Sequence, residues 1–214
     1  MTLPTLYAIA DHETAVRHGW NVPDLACACF AGGARLLQVR GHNVASRTLL
    51  AWCDRIIEEG EKYGARVIVN DRTDLAAMAG AAGVHIGQTD LSVSAARDIL
   101  GREALIGVST HTPEQIDRAI QEAGTVDYLA VGPVYTTVTK ATGYSPVGPE
   151  LVTDAARRAV GRPVVAIGGI TLERAEAVIA AGATSVAVIS DLLTGGDPER
   201  RVADYVRVLT GPSK

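Results

Sequence analysis

The sequence predicts an α/β protein, a single (β/α)₈ TIM barrel with short loops that occupies residues 1–214. Eight short apolar runs recur along the chain, and helical patterns lie between them. Strands that alternate with helices form parallel sheets with right-handed crossovers, and eight such units close a barrel. An open doubly wound sheet is the alternative, but the first run is not followed by the G-x-G-x-x-G that is typical of that fold.

Each predicted strand is a run rich in Val, Ile, Leu and Ala, bounded by glycine, polar residues or proline. The predicted strands cover residues 6–11, 34–40, 66–71, 83–88, 104–111, 128–135, 163–170 and 184–192. Helix starts follow several of them. Thr112 and Asp197 each precede a proline and Thr171 precedes Leu-Glu, so all three are predicted to lie where a helix begins. Short Ala-Gly segments such as Ala82-Gly83 are predicted to end helices with a left-handed glycine.

The composition limits the classes of function. Hydrophobic residues make up 47% of the chain and aromatic residues only 4%, so aliphatic side chains must fill the core. A net charge of −4 predicts no nucleic-acid partner. Neither a secretion signal nor an apolar run of about 18 residues is evident, so we expect a soluble cytoplasmic protein with no membrane partner. Cys27, Cys29 and Cys53 lack metal-ligand spacing and are expected to be buried or half-buried thiols.

Polar residues stand at the C-terminal ends of consecutive predicted strands. In a barrel these ends meet on one face, where the active sites of this fold lie. One such residue could be a helix cap; a series of them indicates a binding site. They are Gln38, Arg40, Asn70, Asp71, Gln88, Asp90, Ser109, His111, Thr137, Thr139 and Lys140.

Asp71 and Asp90 follow neighbouring predicted strands, which lie roughly 5 Å apart. Two carboxylates with water and phosphate oxygens suit Mg²⁺, and no His or Cys beside them indicates zinc. Arg40 and Lys140 are cations on the same face that could hold a diphosphate. Gly168-Gly169 and Ile189-Ser190 end the last two predicted strands, where barrels often bind phosphate. The sequence therefore predicts two anion sites, one of them with Mg²⁺.

The strand-end motifs, in this order and spacing, resemble those of the thiamine phosphate synthase (thiamine-phosphate pyrophosphorylase) family over nearly the whole chain. The T-x-T-K and G-Q-x-D segments are the most specific of them. The motifs are Gln38-Val39-Arg40, Val69-Asn70-Asp71, His85-Ile86-Gly87-Gln88-Thr89-Asp90, Gly107-Val108-Ser109-Thr110-His111, Thr137-Val138-Thr139-Lys140 and Ile167-Gly168-Gly169-Ile170.

The resemblance implies a transferase that joins a hydroxymethylpyrimidine diphosphate to a thiazole phosphate or its carboxylated form. The products are thiamine phosphate and diphosphate, and the diphosphate leaves first. It implies that Asp71 and Asp90 bind Mg²⁺ and that Gln38 orients the pyrimidine. The implied diphosphate contacts are Arg40, Asn70, Ser109 and Lys140, of which Arg40, Ser109 and Lys140 are the catalytic candidates. The implied thiazole phosphate contacts are Thr137, Thr139, Gly169, Ile189 and Ser190.

One position departs from the family pattern. His42 stands where the family usually has a lysine, and an imidazole is mostly neutral at pH 7. We expect His42 to contact the diphosphate more weakly than lysine would, or in a pH-dependent way.

Two alternatives remain open. Ser109-Thr110-His111 also fits the S-x-H motif of the related thiazole tautomerases, in which the histidine acts as a base, and a barrel that only binds thiamine precursors would need no catalytic groups. His85 is expected to be a core histidine with a satisfied hydrogen bond, and His12 and His18 receive no role. The sequence leaves open whether the chain forms a homo-oligomer.

Overall fold

The computed structural model describes residues 2–122, 126–137 and 143–211. Eight parallel strands close into a barrel in chain order, because β8 pairs with β1 as well as with β7. This confirms the predicted (β/α)₈ fold. The strands are β1 Leu6–Asp11, β2 Leu36–Arg40, β3 Arg66–Asn70, β4 Gly83–Ile86, β5 Leu105–Thr110, β6 Tyr128–Val131, β7 Val164–Ile167 and β8 Ser185–Val188.

Helices follow the strands and cover the outside of the barrel, with a 3₁₀-helix at Ser190–Gly196 after β8. The α-helices are α1 His12–Arg17, α2 Val22–Ala31, α3 Ser46–Glu61, α4 Thr73–Ala79, α5 Val93–Leu100, α6 Pro113–Gln121, α7 Gly148–Arg158, α8 Leu172–Ala180 and α9 Pro198–Thr210. In the part of the chain that the structure describes, no helix is both long and apolar enough to cross a bilayer.

Several predicted strands extended too far at their C-terminal ends. The sixth prediction ran to residue 135, whereas β6 ends at Val131, and the eighth ran to residue 192, whereas β8 ends at Val188. Apolar residues continue past each strand end, and their pattern does not separate a strand from the loop that follows it. Gly132, Pro133, Ile189, Ser190 and Asp191 of these extra segments line the C-terminal mouth of the barrel. Val134 N still donates to Ile167 O of β7 at 2.8 Å, although the segment has left the regular strand.

Two apolar layers form the core, because successive side chains of a strand point to opposite faces. Leu6 and Ala8 of β1 belong to the layer between strands and helices, whereas Tyr7 and Ile9 belong to the layer inside the barrel. Tyr7 and Tyr128 are among the largest fully buried side chains. Their rings meet edge to face with centroids 6.0 Å apart. The two tyrosines are thus the aromatic members of the apolar layer inside the barrel, whose other residues are aliphatic.

The predicted helix starts agree with the structure. Thr112 accepts a hydrogen bond from Gln115 N at 3.3 Å, and Asp197 accepts one from Arg200 N at 3.0 Å, so both residues are N-caps. Thr171 occupies the N-cap position of α8. All three cysteines lie in helices as free thiols, and burial raises the pKa of Cys29 and of Cys53 to about 12.

One predicted helix end is wrong. Gly80, with φ of +64°, caps α4, whereas Gly83 is the first residue of β4. A Cβ atom at residue 83 would lie 1.9 Å from the carbonyl oxygen of Leu105. Glycine is therefore required there by the close approach of β5, not by a left-handed turn.

Alanine at residue 83 should destabilise the barrel, because the clashing atom belongs to the backbone of β5 and cannot rotate away. We expect Gly83→Ala to lower the free energy of unfolding in urea by about 1–3 kcal/mol, as overpacking does. Gly60→Ala is the control. The three atoms nearest to its Cβ would all be side-chain atoms, two of the Phe30 ring at 3.2 and 3.4 Å and one of Val67 at 3.5 Å, and alanine favours the helix by up to about 1 kcal/mol. Equal urea midpoints for the two variants would contradict the backbone clash at Gly83.

Candidate active site

The polar strand ends meet at the C-terminal mouth of the barrel around a small cavity of about 40 Å³. Its polar lining comes from β1 to β5 and its apolar lining mainly from β6 to β8. The polar lining residues are Tyr7, Gln38, Arg40, Asn70, His85 and Ser109. The structure thus brings together four residues that the sequence assigned to the pyrimidine diphosphate, namely Gln38, Arg40, Asn70 and Ser109.

Arg40 is a buried cation paired with a buried carboxylate. Its guanidinium donates to the carboxylate of Asp11, and the two side chains are 6% and 2% exposed. Asp11 also accepts from the backbone N and the hydroxyl of Thr14, at 2.9 and 2.6 Å, and so caps α1. The pairing holds Arg40 in one orientation at the floor of the mouth.

Sequence reasoning missed Asp11, although a signal for it was present. Asp11 ends β1 just as Arg40 ends β2, and the two residues are register partners in the sheet. Opposite charges at the ends of neighbouring strands indicate an ion pair at the mouth of the barrel.

His42 contacts Arg40 through its Nε2 atom. A guanidinium can only donate, so His42 Nε2 accepts this hydrogen bond as part of a neutral imidazole. The histidine therefore helps to orient Arg40, a role that the sequence did not predict and that lysine could not fill. Its expected contact with diphosphate stays a prediction.

A buried chain of hydrogen bonds crosses the barrel interior from Gln38 to Ser109. Gln38 Nε2 bonds the hydroxyl of Tyr7 at 2.9 Å, and that hydroxyl bonds the hydroxyl of Tyr128 at 3.0 Å. His85 bonds Tyr128 through Nδ1 at 3.1 Å and Ser109 Oγ through Nε2 at 2.9 Å. Burial raises the pKa of both tyrosines, so both remain neutral hydroxyls. His85 is the hydrogen-bonded core histidine that the sequence predicted.

Asp71 and Asp90 lie at the ends of the neighbouring strands β3 and β4. The backbone of Asp71 has a φ of +59°, and its N–H donates to His85 O at 2.8 Å. Asp90 Oδ2 accepts from Gly87 N at 2.7 Å. Arg72, not Asp71, is the N-cap residue of α4, so the alternative that Asp71 is only a helix cap is not supported. An aspartate held in the left-handed region at a strand end is a position where a functional constraint is expected.

These residues fit a magnesium ion. Carboxylate oxygens are the ligands that Mg²⁺ prefers, and it usually keeps several waters beside one or two carboxylates and substrate phosphates. Among the described residues, no group of three or more His, Cys, Asp or Glu side chains is placed to hold a metal by itself. Asp71 is half-buried and Asp90 is exposed, so carboxylates are available beyond two neighbouring strands for an open Mg²⁺ site.

A second, larger cavity of about 450 Å³ lies at the ends of β5 to β8. Gly168 and Gly169 line it with φ of +102° and +64°, and a Cβ on Gly168 would lie 2.6 Å from the Cα of Pro133. Both positions need glycine, and the bare backbone lets an anion approach closely. Other predicted thiazole phosphate contacts line the same cavity, namely Thr137, Ile189 and Ser190.

Sequence reasoning missed two further basic residues that line this cavity, His18 and Arg174. Arg174 donates to Gly169 O at 2.9 Å and stacks over the ring of Tyr135 at 4.6 Å. His18 Nδ1 bonds the carbonyl oxygen of Thr14 at 2.9 Å, so this nitrogen carries the proton. Both residues lie on or beside helices rather than at strand ends, and no pattern in the sequence pointed to them.

Asp191 anchors the wall of the larger cavity. Its carboxylate accepts from Arg201 at 2.7 Å, from the hydroxyl of Tyr205 at 2.5 Å and from the N–H of Leu172 at 3.2 Å. These bonds join the 3₁₀-helix to the beginning of α8 and to α9. The guanidinium of Arg201 offsets the negative charge of Asp191 at the wall of this cavity.

Thr139 and Lys140 lie outside the described residues, so their predicted contacts stay predictions. His111 lines the larger cavity, bonds Gly132 O through Nδ1 and stacks on Tyr144 with centroids 4.0 Å apart. Gln88 Nε2 donates to Ser109 O at 2.6 Å and ties the β4 loop to β5.

The structure is a closed (β/α)₈ barrel with a buried cation and two cavities at the C-terminal ends of its strands, where the enzymes of this fold have their active sites. The family model described as thiamine monophosphate synthase matches residues 6–192. The thiamine-phosphate synthase of Koribacter versatilis is 41% identical over 98% of this chain and 97% of its own length. That of Methanospirillum hungatei is 42% identical over 94% and 97%.

A solved structure agrees with these matches. The thiamine phosphate pyrophosphorylase of Pyrococcus furiosus superposes with a TM-score of 0.85 at 27% identity, over 96% of this chain and 95% of that one. The chain belongs to the thiamine-phosphate synthase family and is a transferase. Membership of this family supports thiamine phosphate synthesis as its activity.

Removal of the Asp11 charge should leave Arg40 buried without a counter-ion. We expect Asp11→Asn, which keeps a side chain able to cap α1, to lower the free energy of unfolding by about 3–5 kcal/mol. Asp24→Asn is the control, because Asp24 pairs with Arg55 on the surface with both side chains about half exposed, and such pairs contribute at most about 1 kcal/mol. Urea unfolding at pH 7 measures both losses. Similar losses would show that the buried pair contributes no more than a surface one.

Proposed function

We propose that the protein condenses 4-amino-2-methyl-5-(diphosphooxymethyl)pyrimidine with 4-methyl-5-(2-phosphooxyethyl)thiazole, or its carboxylated form, in a Mg²⁺-dependent reaction. The products are thiamine phosphate and diphosphate. The observation that carries the proposal is the junction of two cavities suited to anions in one barrel mouth, where they share Ser109, Ile167, Ala187 and Ile189 as common walls. Two phosphorylated substrates can thus meet with their reacting atoms side by side.

We place the pyrimidine diphosphate at the smaller cavity and the open mouth above it, because a volume of about 40 Å³ has room for only part of that molecule. Arg40 supplies a preoriented positive charge, and Asn70 and Ser109 add polar groups beside it. Asp71 and Asp90 would hold Mg²⁺, which neutralises charge on a diphosphate when it is bound. Lys140 is proposed as a further cation on the basis of the family motif. Groups of this kind stabilise negative charge as it develops on a leaving group.

The larger cavity suits the thiazole phosphate. Gly168 and Gly169 offer close backbone approach, Ser190 and Thr137 offer hydroxyls, and Arg174 adds a cation. This set resembles the phosphate site that many barrels build after their last two strands. The proposed phosphate end therefore lies at β7 and β8, and the thiazole ring points towards the shared wall.

The proposed reaction is dissociative. The bond between the methylene carbon of the pyrimidine and the diphosphate oxygen breaks first, and the oxygen keeps the electron pair. The pyrimidine stabilises the resulting carbocation until the thiazole nitrogen donates its lone pair to form the new C–N bond. The apolar shared wall of Ile167, Ala187 and Ile189 would keep water from the cation.

A second candidate function rests on His111. Its Nδ1 faces the carbonyl oxygen of Gly132 and must carry the proton, which makes Nε2 the basic nitrogen of a cavity-lining histidine. Such a base suits tautomerisation of a thiazole. The third hypothesis is a barrel that binds thiamine precursors without catalysing a reaction. Incubation with both substrates and Mg²⁺ separates the three, because only the condensation yields thiamine phosphate together with diphosphate.

The metal proposal predicts a loss of activity in Asp90→Asn, which removes a charge and keeps the shape of the side chain. We expect turnover at saturating substrates to fall about 10²-fold or more, because charge on the leaving diphosphate is no longer neutralised. Asp98→Asn, on the exposed face of α5, should keep wild-type turnover and the same Mg²⁺ dependence. Wild-type turnover by Asp90→Asn without added metal would refute the Mg²⁺ assignment.

Lys140 and His111 distinguish the condensation from the tautomerisation. Loss of diphosphate is helped by a nearby cation, so Lys140→Ala should reduce kcat for thiamine phosphate formation by about 10²–10³-fold. His111→Ala should reduce it much less, since the dissociative step needs no base. In a tautomerase the order reverses, because loss of a general base costs about 10²–10⁴-fold. Both activities are measured for both variants. The condensation proposal fails if the wild-type protein makes no thiamine phosphate and His111→Ala abolishes tautomerisation.

A further inference from the structure

The hydrogen-bond chain between Gln38 and Ser109 can run in only two directions. Each tyrosine hydroxyl has one proton, and the neutral imidazole of His85 has one donating and one accepting nitrogen. Tyr7, Tyr128 and His85 therefore each accept from one neighbour and donate to the other. Once the direction of hydrogen-bond donation is set at Gln38, it is therefore also set at Ser109.

In the first direction Gln38 Nε2 donates to Tyr7, Tyr7 to Tyr128, and Tyr128 to His85 Nδ1. His85 then carries its proton on Nε2 and donates to Ser109, so the hydroxyl proton of Ser109 must point to another acceptor. Gln38 in turn presents its carbonyl oxygen to a ligand in the small cavity that it lines. In the structure Gln38 Nε2 faces the hydroxyl of Tyr7, as this first direction requires.

In the second direction every bond is reversed. Ser109 donates to His85 Nε2, and the chain ends with Tyr7 donating to the carbonyl oxygen of Gln38. Gln38 then presents its NH₂ group to a ligand, and Ser109 offers only a lone pair. A diphosphate oxygen cannot donate a proton, so Ser109 could not bond it in this state.

We propose that the buried chain Gln38–Tyr7–Tyr128–His85–Ser109 couples recognition of an amino group on the pyrimidine to donation by Ser109 to the diphosphate. An amino group donates to the carbonyl oxygen of Gln38 and selects the first direction. A pyrimidine with an oxo group at that position presents an acceptor, selects the second direction and turns the Ser109 proton away from the diphosphate. This inference rests on the proposed function and adds to it a means of substrate selection by three positioning residues, Tyr7, Tyr128 and His85.

Because the hydrogen bonds from Gln38 to Ser109 are buried, the orientation of one end is strongly coupled to that of the other. Tyr7 and Tyr128 are fully buried and His85 is 8% exposed, so water cannot readily replace a partner. The chain also spans five strands, β1, β2, β4, β5 and β6, which the closed barrel holds in fixed positions. A mismatched direction would leave two donors or two acceptors facing each other in the core, which is costly.

The test compares the amino substrate with its 4-oxo analogue in wild type, Ser109→Ala, Tyr128→Phe and the double variant. In the wild-type barrel Ser109→Ala should reduce kcat for the amino substrate about 10- to 100-fold, the range expected for a hydrogen bond to a charged group. It should change kcat for the oxo analogue by less than about threefold. Comparison of variants on the same substrate cancels the intrinsic difference in reactivity between the two pyrimidines.

Tyr128→Phe keeps the ring and removes the hydroxyl that links the two halves of the chain. The ratio of kcat/KM for the amino substrate to that for the oxo analogue should fall about tenfold. In this background Ser109→Ala should affect both substrates equally. Tyr63→Phe is the matched control, because Tyr63 stacks on Phe30 between the helices and lies outside the chain. It should leave the ratio unchanged.

A purely structural role for Tyr128 would lower activity on both substrates in proportion, and an unchanged ratio would therefore overturn the coupling. So would an equal effect of Ser109→Ala on both substrates in the wild-type barrel. If Tyr128→Phe does not fold, Tyr7→Phe gives the same test, because it removes the neighbouring hydroxyl from the series of hydrogen bonds. Absence of thiamine phosphate from wild type and the amino substrate would instead mean that the proposed function is wrong.

Discussion

The site depends on closure of the sheet by the pairing of β8 with β1. Leu6 lies opposite Val186 and Ala8 opposite Val188, so the last strand returns to the first with no edge left open. Closure places eight strand ends on one rim, although they are spread along the sequence. It also encloses an interior in which two tyrosine rings meet edge to face. The cavities and the buried polar groups both follow from this geometry.

Polar groups inside a closed barrel must find partners there, because unpaired buried donors and acceptors are costly. This barrel meets the requirement in two ways. The Asp11–Arg40 pair neutralises charge at the mouth, and Asp11 is held in turn by α1. The chain from Gln38 to Ser109 pairs five side chains one after another. The ion pair holds Arg40 in one orientation before any ligand arrives, and the hydrogen-bond chain limits Gln38 and Ser109 to two linked orientations.

The two cavities differ in what shapes them. Side chains at the strand ends define the smaller one, whereas backbone and helix anchors define the larger one. Gly168 and Gly169 sit against the segment from Pro133 to Thr136, and Asp191 fixes the 3₁₀-helix to α8 and α9. The two cavities share Ser109, Ile167, Ala187 and Ile189, so a site built from charged side chains lies beside one built largely from backbone.

The sequence by itself determined the eight-unit barrel, the helix starts at Thr112, Thr171 and Asp197, and which strand ends carry polar residues. Periodicity and capping act locally, so these features can be read from neighbouring residues. The family motifs added a function and a set of site residues to that pattern.

Only the tertiary structure decided how these residues meet. Asp11 and His42 orient Arg40, His18 and Arg174 enter the larger cavity, and Tyr7 and Tyr128 connect Gln38 with His85. The two tyrosines are 121 residues apart in the sequence. No local pattern predicts which two hydroxyl groups will face each other across a barrel. The distance between them is set by closure of the sheet and by the side chains that fill its interior.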